Sequence, residues 1–229
     1  MYGIPQEVVD IVIARRGRLH CLQRIEPERS ALVVIDMQNY FVHAGFQGEV
    51  PPARDIVPAI NRAAPAVRSR GGSVVWIQTE SDGADRDWSF LHGHMLTPER
   101  GRRRLAELAR GSEGYALSPD LQVERSDLFI AKRRYSAFIQ GSSGLEQALR
   151  ARSIDTVLIA GTTTNVCCES TARDAMMLDF KTVMLADALA APTGSAHIGS
   201  LANCLLYFCD VMNVDEAIAL MEQQAVTAG

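Results

Sequence analysis

Three side chains that could take part in nucleophilic catalysis stand just after apolar runs of the chain: Asp36, Lys132 and Cys167. A carboxylate can accept and return a proton, an ammonium group stabilises neighbouring negative charge, and a thiolate is a strong nucleophile. Each residue alone has an ordinary explanation, as a turn residue, a solvated cation or a small buried hydrophobe. Because all three follow runs of the same kind, we predict that they share one site.

Cys167 is the best candidate for the nucleophile, because it follows a Gly-Thr-Thr-Thr-Asn turn and stands at the start of a predicted helix. Unpaired N–H groups at a helix N-terminus stabilise a thiolate. The Cys167 N–H, with one from the preceding turn, can also bind the oxyanion of a tetrahedral intermediate. Cys168 is the competitor. A helical side chain one residue further on points about 100° away, so only one of the two cysteines can face the site.

Apolar runs without alternation predict buried strands, and stretches with helical spacing separate them. Thr97 and Pro98 fit the cap and first position of one helix, and Asp215 is the predicted cap of the last helix. Residues 79–97 are too irregular for either element. The predicted strands are 31–35, 73–78, 127–131, 156–161, 182–185 and 211–214, and the predicted helices cover 54–70, 97–108, 142–149, a segment from 167, and 195–208.

This alternation predicts an α/β fold, a three-layer α/β/α sandwich with a six-stranded parallel sheet of Rossmann-like type. The length suits a single domain over residues 1–229, and residues 1–29 form an extension that packs on the domain or on a neighbouring subunit. In such sheets ligands bind beyond the carboxyl ends of the strands, where strand order reverses. The three reactive residues are predicted to meet there.

Composition and charge exclude several classes of protein. A net charge of −4 argues against a nucleic-acid-binding surface. The three arginines at 102–104 are predicted to lie on a solvent-exposed helix face. No apolar run approaches the roughly 18 residues of a membrane span, and the first residues lack a signal-peptide pattern. Five cysteines without a CxxC pair indicate a reducing compartment. We therefore predict a cytoplasmic protein with no nucleic-acid or membrane partner.

Three motifs together resemble the isochorismatase-like cysteine hydrolase family: residues 31–39 (ALVVIDMQN), residues 132–138 (KRRYSAF) and residues 161–175 (GTTTNVCCESTARDA). The similarity extends in order over roughly residues 28–220. It implies the six-stranded fold and assembly as a homodimer or homotetramer.

The resemblance also implies roles for individual residues. Asp36 takes the thiol proton and passes it to the leaving nitrogen, Lys132 contacts the aspartate and the thiolate, and Cys167 attacks the substrate. A cis peptide is implied between Thr162 and Thr163. The oxyanion donors would be the backbone N–H groups of Thr163 and Cys167.

The same resemblance narrows the substrate to a small molecule with a C–N bond. Members that hydrolyse a vinyl ether lack the cysteine, so Cys167 favours the amide-cleaving branch, closest to ureidoacrylate and N-carbamoyl amidohydrolases. The metal site of the nicotinamidase branch is not matched, since His92 and His94 have a different spacing, so we expect no metal and no cofactor. Candidate substrate contacts near the strand ends are Asn39, Phe41, Gln78, Trp88 and Tyr135.

Other functions remain open alternatives. The chain can instead be an isochorismatase-like vinyl-ether hydrolase, or a catalytically silent binding or scaffold member of the family. A thiol sensor built on adjacent Cys167 and Cys168 would leave Asp36 and Lys132 unexplained, and vicinal cysteines rarely form a disulfide without strain. A dinucleotide-binding protein is disfavoured, because no Gly-x-Gly-x-x-Gly follows the first strand.

Overall fold

The computed structural model describes residues 2–223 and contains a six-stranded sheet in which every pairing is parallel. The strand order is β3-β2-β1-β4-β5-β6, which confirms the predicted fold class. The strands are β1 (Ser30–Ile35), β2 (Ser73–Thr79), β3 (Leu128–Lys132), β4 (Thr156–Thr162), β5 (Lys181–Ala190) and β6 (Asp210–Met212).

Helices cover both faces of the sheet. One face carries α1 (Gln6–Arg16), α6 (Leu145–Arg150), α7 (Glu169–Met177) and α8 (Gly194–Tyr207), and the other carries α3 (Val57–Arg68) and α9 (Val214–Glu222). Shorter elements follow the carboxyl ends of strands: α2 (Asn39–Val42), α4 (Ala84–Asp87), α5 (Pro98–Glu107) and two π-helical turns (Leu91–Met95 and Thr164–Cys168).

The central strands are buried on both sides, which is why their sequences show no alternation. In β1, Val33 and Ile35 contact the α7–α8 face, whereas Leu32 and Val34 contact the α3–α9 face. All six residues of β1 are buried. Neither face of this strand is open to water, so both sets of side chains are apolar.

The N-terminal extension packs on the same chain. Helix α1 lies against α8 and buries Val9 and Val12. Beyond the helix, Arg16 pairs with Asp210 at 3.3 Å, and the same carboxylate accepts the backbone N–H of Leu22 at 2.9 Å. Asp210 begins β6, so these contacts attach the extension to the edge of the sheet. That the extension also meets a neighbouring subunit stays a prediction.

Two sequence predictions about local structure were wrong. Residues 79–97 are not structureless, because they include α4 and a π-helical turn, both too short to show a periodic pattern. The last helix is capped by Asn213 and not by Asp215. The Asn213 side chain accepts the Glu216 N–H at 2.7 Å in a reciprocal capping box, which leaves Asp215 in the first turn.

The predicted start of the helix after β4 also needed correction. Cys167 lies within the π-helical turn, and the regular helix α7 begins only at Glu169. The cap at Thr97 is confirmed, since its hydroxyl accepts the Arg100 N–H. Among residues 2–223, no helix combines the length and the apolar character that a membrane crossing requires.

Candidate active site

The strand order reverses between β1 and β4, the two central strands of the sheet. From β1 the chain moves outward to β2 and β3, then returns to β4 and continues to β5 and β6. Asp36 directly follows β1, Lys132 is the last residue of β3, and Cys167 lies in the turn after β4. The fold therefore brings all three residues to the carboxyl edge, at the reversal where α/β sheets bind ligands.

The three side chains are in contact and almost fully buried. The Lys132 Nζ lies 2.8 Å from the Asp36 Oδ2 and 3.5 Å from the Cys167 Sγ. The exposed fractions are 0% for Asp36, 1% for Lys132 and 5% for Cys167. Buried charges require partners of this kind, because each ion loses its hydration. The ammonium group thus joins a carboxylate and a thiol in one small space.

Thr79 completes this cluster and was missed at the sequence level. Its hydroxyl donates to the Asp36 Oδ1 at 2.9 Å and accepts from the Lys132 Nζ at 2.6 Å. Its backbone is fixed by Gln38, whose side chain accepts the Thr79 N–H at 2.8 Å and donates to the Thr79 carbonyl at 3.0 Å. β2 lies between β1 and β3, so a residue at its end must lie between Asp36 and Lys132. We call Asp36, Thr79, Lys132 and Cys167 the strand-end cluster.

The electrostatics of the cluster favour a protonated thiol at rest. Burial raises the pKa of Cys167 to about 12; the charge of Lys132 opposes this rise and that of Asp36 adds to it. Burial by itself would lower the pKa of Lys132, but the Asp36 carboxylate outweighs it and the net shift is upward. Lys132 therefore keeps its charge, whereas the Cys167 thiol keeps its proton.

The backbone around Cys167 approaches β1 very closely. A Cβ atom on Gly161 would lie 2.0 Å from the Ile35 carbonyl oxygen, and Gly161 has φ +108°, so only glycine fits here. The peptide bond between Thr162 and Thr163, just after Gly161, is cis, as the resemblance implies. Among the described residues, no hydrogen bond uses the Thr163 N–H as donor. That N–H is thus available to a ligand beside Cys167.

Cys168 does not share the position of Cys167. It is fully buried in the apolar core under α7, and burial raises its pKa well above the ordinary thiol value. Lys132 lies within hydrogen-bond distance of the Cys167 sulfur. The one-residue offset along the turn therefore separates the two thiols as expected.

Three of the predicted substrate contacts have structural partners within the chain. Phe41 packs edge-to-face on Tyr40, with ring centres 4.8 Å apart. The Asn39 Nδ2 donates to the Glu113 carbonyl at 3.0 Å, although its buried Oδ1 has no partner among residues 2–223. Gln78 is half-buried and donates to the Tyr115 carbonyl at 2.9 Å. The hydrogen bonds of Asn39 and Gln78 hold the loop before β3 against the end of the sheet.

Trp88 and Tyr135 form a pair beside the strand-end cluster. Their ring centres are 4.7 Å apart in an edge-to-face arrangement, and both line a cavity of about 460 Å³ that Ser170 and Arg173 also border. Burial raises the pKa of Tyr135, and the charges of Cys167 and Lys132 act on it as well. Tyr135 thus lines this cavity and lies within electrostatic reach of the buried thiol and ammonium group, which do not line the cavity themselves.

Residues 80–107 form a segment over this edge of the sheet, here called the 80–107 segment. It contains α4, the π-helical turn and α5, and it carries Trp88. His94 is exposed, and His92 is half-buried with no partner for either ring nitrogen among residues 2–223. The described residues hold no group of three His, Cys, Asp or Glu side chains that could bind a metal ion.

Comparisons with known proteins agree with this geometry. A family model described as the isochorismatase domain matches residues 30–216. A ureidoacrylate amidohydrolase of Rhizobium rhizogenes is 31% identical over 228 residues, covering 89% of this chain and 87% of its own. A probable inactive nicotinamidase of Arabidopsis thaliana is 33% identical, covering 75% of this chain and 86% of its own. The crystal structure of a cysteine hydrolase from Pseudomonas syringae pv. phaseolicola superimposes with a TM-score of 0.77 at 29% identity, covering 87% of this chain and 95% of that one. The chain belongs to the isochorismatase family of hydrolases.

Proposed function

We propose that this protein is a cysteine-dependent amidohydrolase that cleaves the C–N bond of a small amide, ureido or N-carbamoyl compound. One observation carries the proposal: a buried ammonium group lies 2.8 Å from the Asp36 carboxylate and 3.5 Å from the Cys167 sulfur. A base, a cation and a nucleophile within contact distance are the components of acyl transfer through a thioester.

The first step in this proposal is proton transfer from Cys167 to Asp36. The thiol is protonated at rest, because burial raises its pKa to about 12. As the thiolate sulfur attacks the carbonyl or carbamoyl carbon, the thiol proton passes to the Asp36 carboxylate. Lys132 keeps its positive charge beside both groups and stabilises the negative charge that moves between them.

The second step is collapse of the tetrahedral intermediate. Its oxyanion accepts hydrogen bonds from the backbone N–H groups of Thr163 and Cys167, which are fixed dipoles that need no reorganisation. The C–N bond breaks, and ammonia or an amine leaves with the proton held by Asp36. Asp36 then takes a proton from water, which attacks the thioester and releases the acid and the free thiol.

The substrate class rests on the relatives and on the cavity that Trp88 and Tyr135 line. The relatives include ureidoacrylate amidohydrolases at 31% to 35% identity, and the cavity next to Tyr135 has about 460 Å³. A cavity of this size suits a small organic molecule. Trp88 and Tyr135 supply its aromatic wall, and they are the predicted contacts best placed to touch a substrate.

The proposal extends to assembly and compartment. All five cysteines are free thiols, which suits the reducing cytoplasm. Apolar side chains at the surface include Ile139, which is 50% exposed, and Met177, which is 65% exposed. Contiguous exposed apolar side chains are typical of subunit interfaces. We therefore expect a homodimer or homotetramer in the cytoplasm.

The test is ammonia release from a panel of small amides, ureido acids and N-carbamoyl compounds. Cys167→Ala should reduce turnover by at least roughly 10⁴-fold, because the attacking atom is removed. Cys168→Ala is the matched control, one residue away, and should keep most of the activity.

Each other outcome points elsewhere. Equal rates in the native protein and Cys167→Ala would show that another group is the nucleophile. If the native protein released no ammonia from any compound, vinyl-ether hydrolysis or a catalytically inactive member of the family would be favoured. The Arabidopsis relative is named as a probable inactive enzyme of this kind.

A further inference from the structure

Arg104 differs from the two arginines that precede it in α5. Arg102 and Arg103 are exposed, and Arg103 pairs with Glu107 at 2.6 Å. Arg104 is half-buried, and its guanidinium carbon lies 5.8 Å from the ring centre of Tyr40, a residue of α2. The prediction of a solvated face for this run was therefore wrong for Arg104, whose side chain points inward from the helix.

The charge of Arg104 reaches the strand-end cluster. Burial raises the pKa values of Cys167 and Tyr135, and in both cases the Arg104 charge opposes the rise. Burial lowers the pKa of His92, and the Arg104 charge adds to that shift. The guanidinium group thus lies within electrostatic reach of the nucleophile on one side and of the 80–107 segment on the other.

Arg104 has no anionic partner. Among residues 2–223, no carboxylate lies within 4.0 Å of its guanidinium group, and its side chain donates no hydrogen bond. Neighbouring cations are paired: Lys132 with Asp36 at 2.8 Å, and Arg133 with Glu80 at 2.8 Å. A guanidinium group has five donors in a planar fork, so the Arg104 side chain can donate to a bound ligand.

We propose that Arg104 binds a carboxylate of the substrate, so that the substrate is a ureido or amide carboxylic acid. This inference rests on the proposed function. Asp36 and Lys132 neutralise each other and Cys167 is protonated, so the strand-end cluster has no net charge, and no carboxylate among residues 2–223 lies within 4.0 Å of the Arg104 guanidinium group to balance its charge. The guanidinium fork matches both oxygens of a carboxylate, while the carbamoyl or amide carbon of the same molecule faces the sulfur.

The arginines that line the cavity itself are Arg173 and Arg134. Arg173 donates to the Glu169 carboxylate, and Arg134 also has acceptors within the protein. The Arg134 guanidinium group lies 5.4 Å from the ring centre of Trp88 and donates to the carbonyl oxygens of Arg133 at 3.0 Å and Asp87 at 2.6 Å. These bonds attach the β3–α6 loop to the 80–107 segment. Arg104 is therefore the better receptor for a carboxylate.

The experiment compares ω-ureido acids with their methyl esters, which keep the ureido group and remove the charge. Ureidoacetate, 3-ureidopropionate and 4-ureidobutyrate differ in the distance between the carboxylate and the ureido group. The ratio of kcat/KM for acid and ester is measured in the native protein, Arg104→Gln, Arg104→Lys and Arg102→Gln, with Tm recorded for each.

The native protein should prefer at least one acid over its ester. Arg104→Gln should lower that ratio by about 10- to 100-fold, as expected for a charge-assisted bidentate bond, with little change in ester turnover. Arg104→Lys should restore part of the ratio, because it keeps the charge but loses the fork. Arg102→Gln should behave as the native protein. Equal loss for acids and esters in Arg104→Gln would indicate a structural role and overturn the inference.

Binding to the Cys167→Ala protein separates this inference from the proposed function. Calorimetry should show acids binding more tightly than esters, and Arg104→Gln in the same background should remove the difference. If the native protein cleaves ureido esters or amides without preferring any acid, the amidohydrolase proposal stands and the Arg104 inference fails. If ammonia appears from no compound, the proposed function fails. In that case acid binding that is unchanged by Arg104→Gln would also exclude Arg104 as a carboxylate receptor.

Discussion

The strand-end cluster and the 80–107 segment contribute to the same site in different ways. Asp36, Thr79 and Lys132 are at most 5% exposed and joined by hydrogen bonds, at the ends of strands that the sheet holds in register. The 80–107 segment consists of short helical pieces, and it leaves Phe90 65% and Met95 63% exposed. From this difference we expect bond cleavage to depend on the residues at the edge of the sheet and substrate choice to depend on the covering segment.

This comparison predicts two classes of variant. Changes in the strand-end cluster should lower kcat for every substrate, because they alter groups that act on the reacting atoms. Changes in the 80–107 segment should alter KM or substrate preference and leave kcat for the best compound nearly constant. A variant in the 80–107 segment that lowered kcat equally for all substrates would contradict this division of roles.

The largest effect among strand-end variants other than the nucleophile is expected from Asp36→Asn. Loss of the proton acceptor should lower kcat by about 10²- to 10⁴-fold. Burial still raises the pKa of Cys167, but Asp36 no longer adds to the rise while Lys132 still opposes it, so the thiolate should appear at lower pH than in the native protein. Ultraviolet absorbance of the thiolate against pH measures this, with Cys167→Ala as the blank. Near-native kcat would mean that another base acts.

Thr79→Val should have the next largest effect. It removes the hydroxyl that joins the Asp36 Oδ1 to the Lys132 Nζ, and a lost hydrogen bond to a buried charged group corresponds to about a 10- to 100-fold fall in kcat. Thr79→Ser keeps the hydroxyl and should recover most of the activity. Steady-state kinetics and Tm of both variants test this prediction. An unchanged kcat in Thr79→Val would show that the hydroxyl is not needed for catalysis.

Trp88→Ala should show the smaller effect expected of the 80–107 segment. It deletes the edge-to-face pair with Tyr135, an interaction of about 0.5–1.5 kcal/mol, so KM should rise by up to about 10-fold while kcat changes little. Trp88→Phe keeps a ring and serves as the control. A fall in kcat with unchanged KM would instead place Trp88 with the groups that act on the transition state.

The smallest effect is a difference in stability at high pH. The pKa of Cys167 rises from 9.0 to about 12 on folding, so above pH 9 the unfolded chain loses a proton that the folded chain keeps. The free energy of unfolding therefore falls as pH increases from 9 toward 12, and the Cys167 thiol contributes about 1 kcal/mol to this fall at pH 10. Denaturant unfolding at pH 8 and pH 10 should show a smaller fall in Cys167→Ala than in the native protein. Equal falls would mean that this thiol does not contribute to the pH dependence.

The sequence alone was enough to predict the sheet and the three reactive side chains that meet at its edge. Runs without alternation specify strands covered on both faces, and reactive side chains at the ends of parallel strands must share one edge. This reasoning located Asp36, Lys132 and Cys167. It also placed the cap at Thr97, because capping depends on neighbouring residues only.

Only the tertiary structure decided which side chains from separate elements meet. Thr79 lies between Asp36 and Lys132 because β2 pairs with both β1 and β3, and strand order cannot be read from one strand. Arg104 belongs to a run of three similar residues, and the packing of α5 over Tyr40 turns one of them inward. Local patterns report the state of a segment, whereas contacts between distant segments depend on how the whole chain packs.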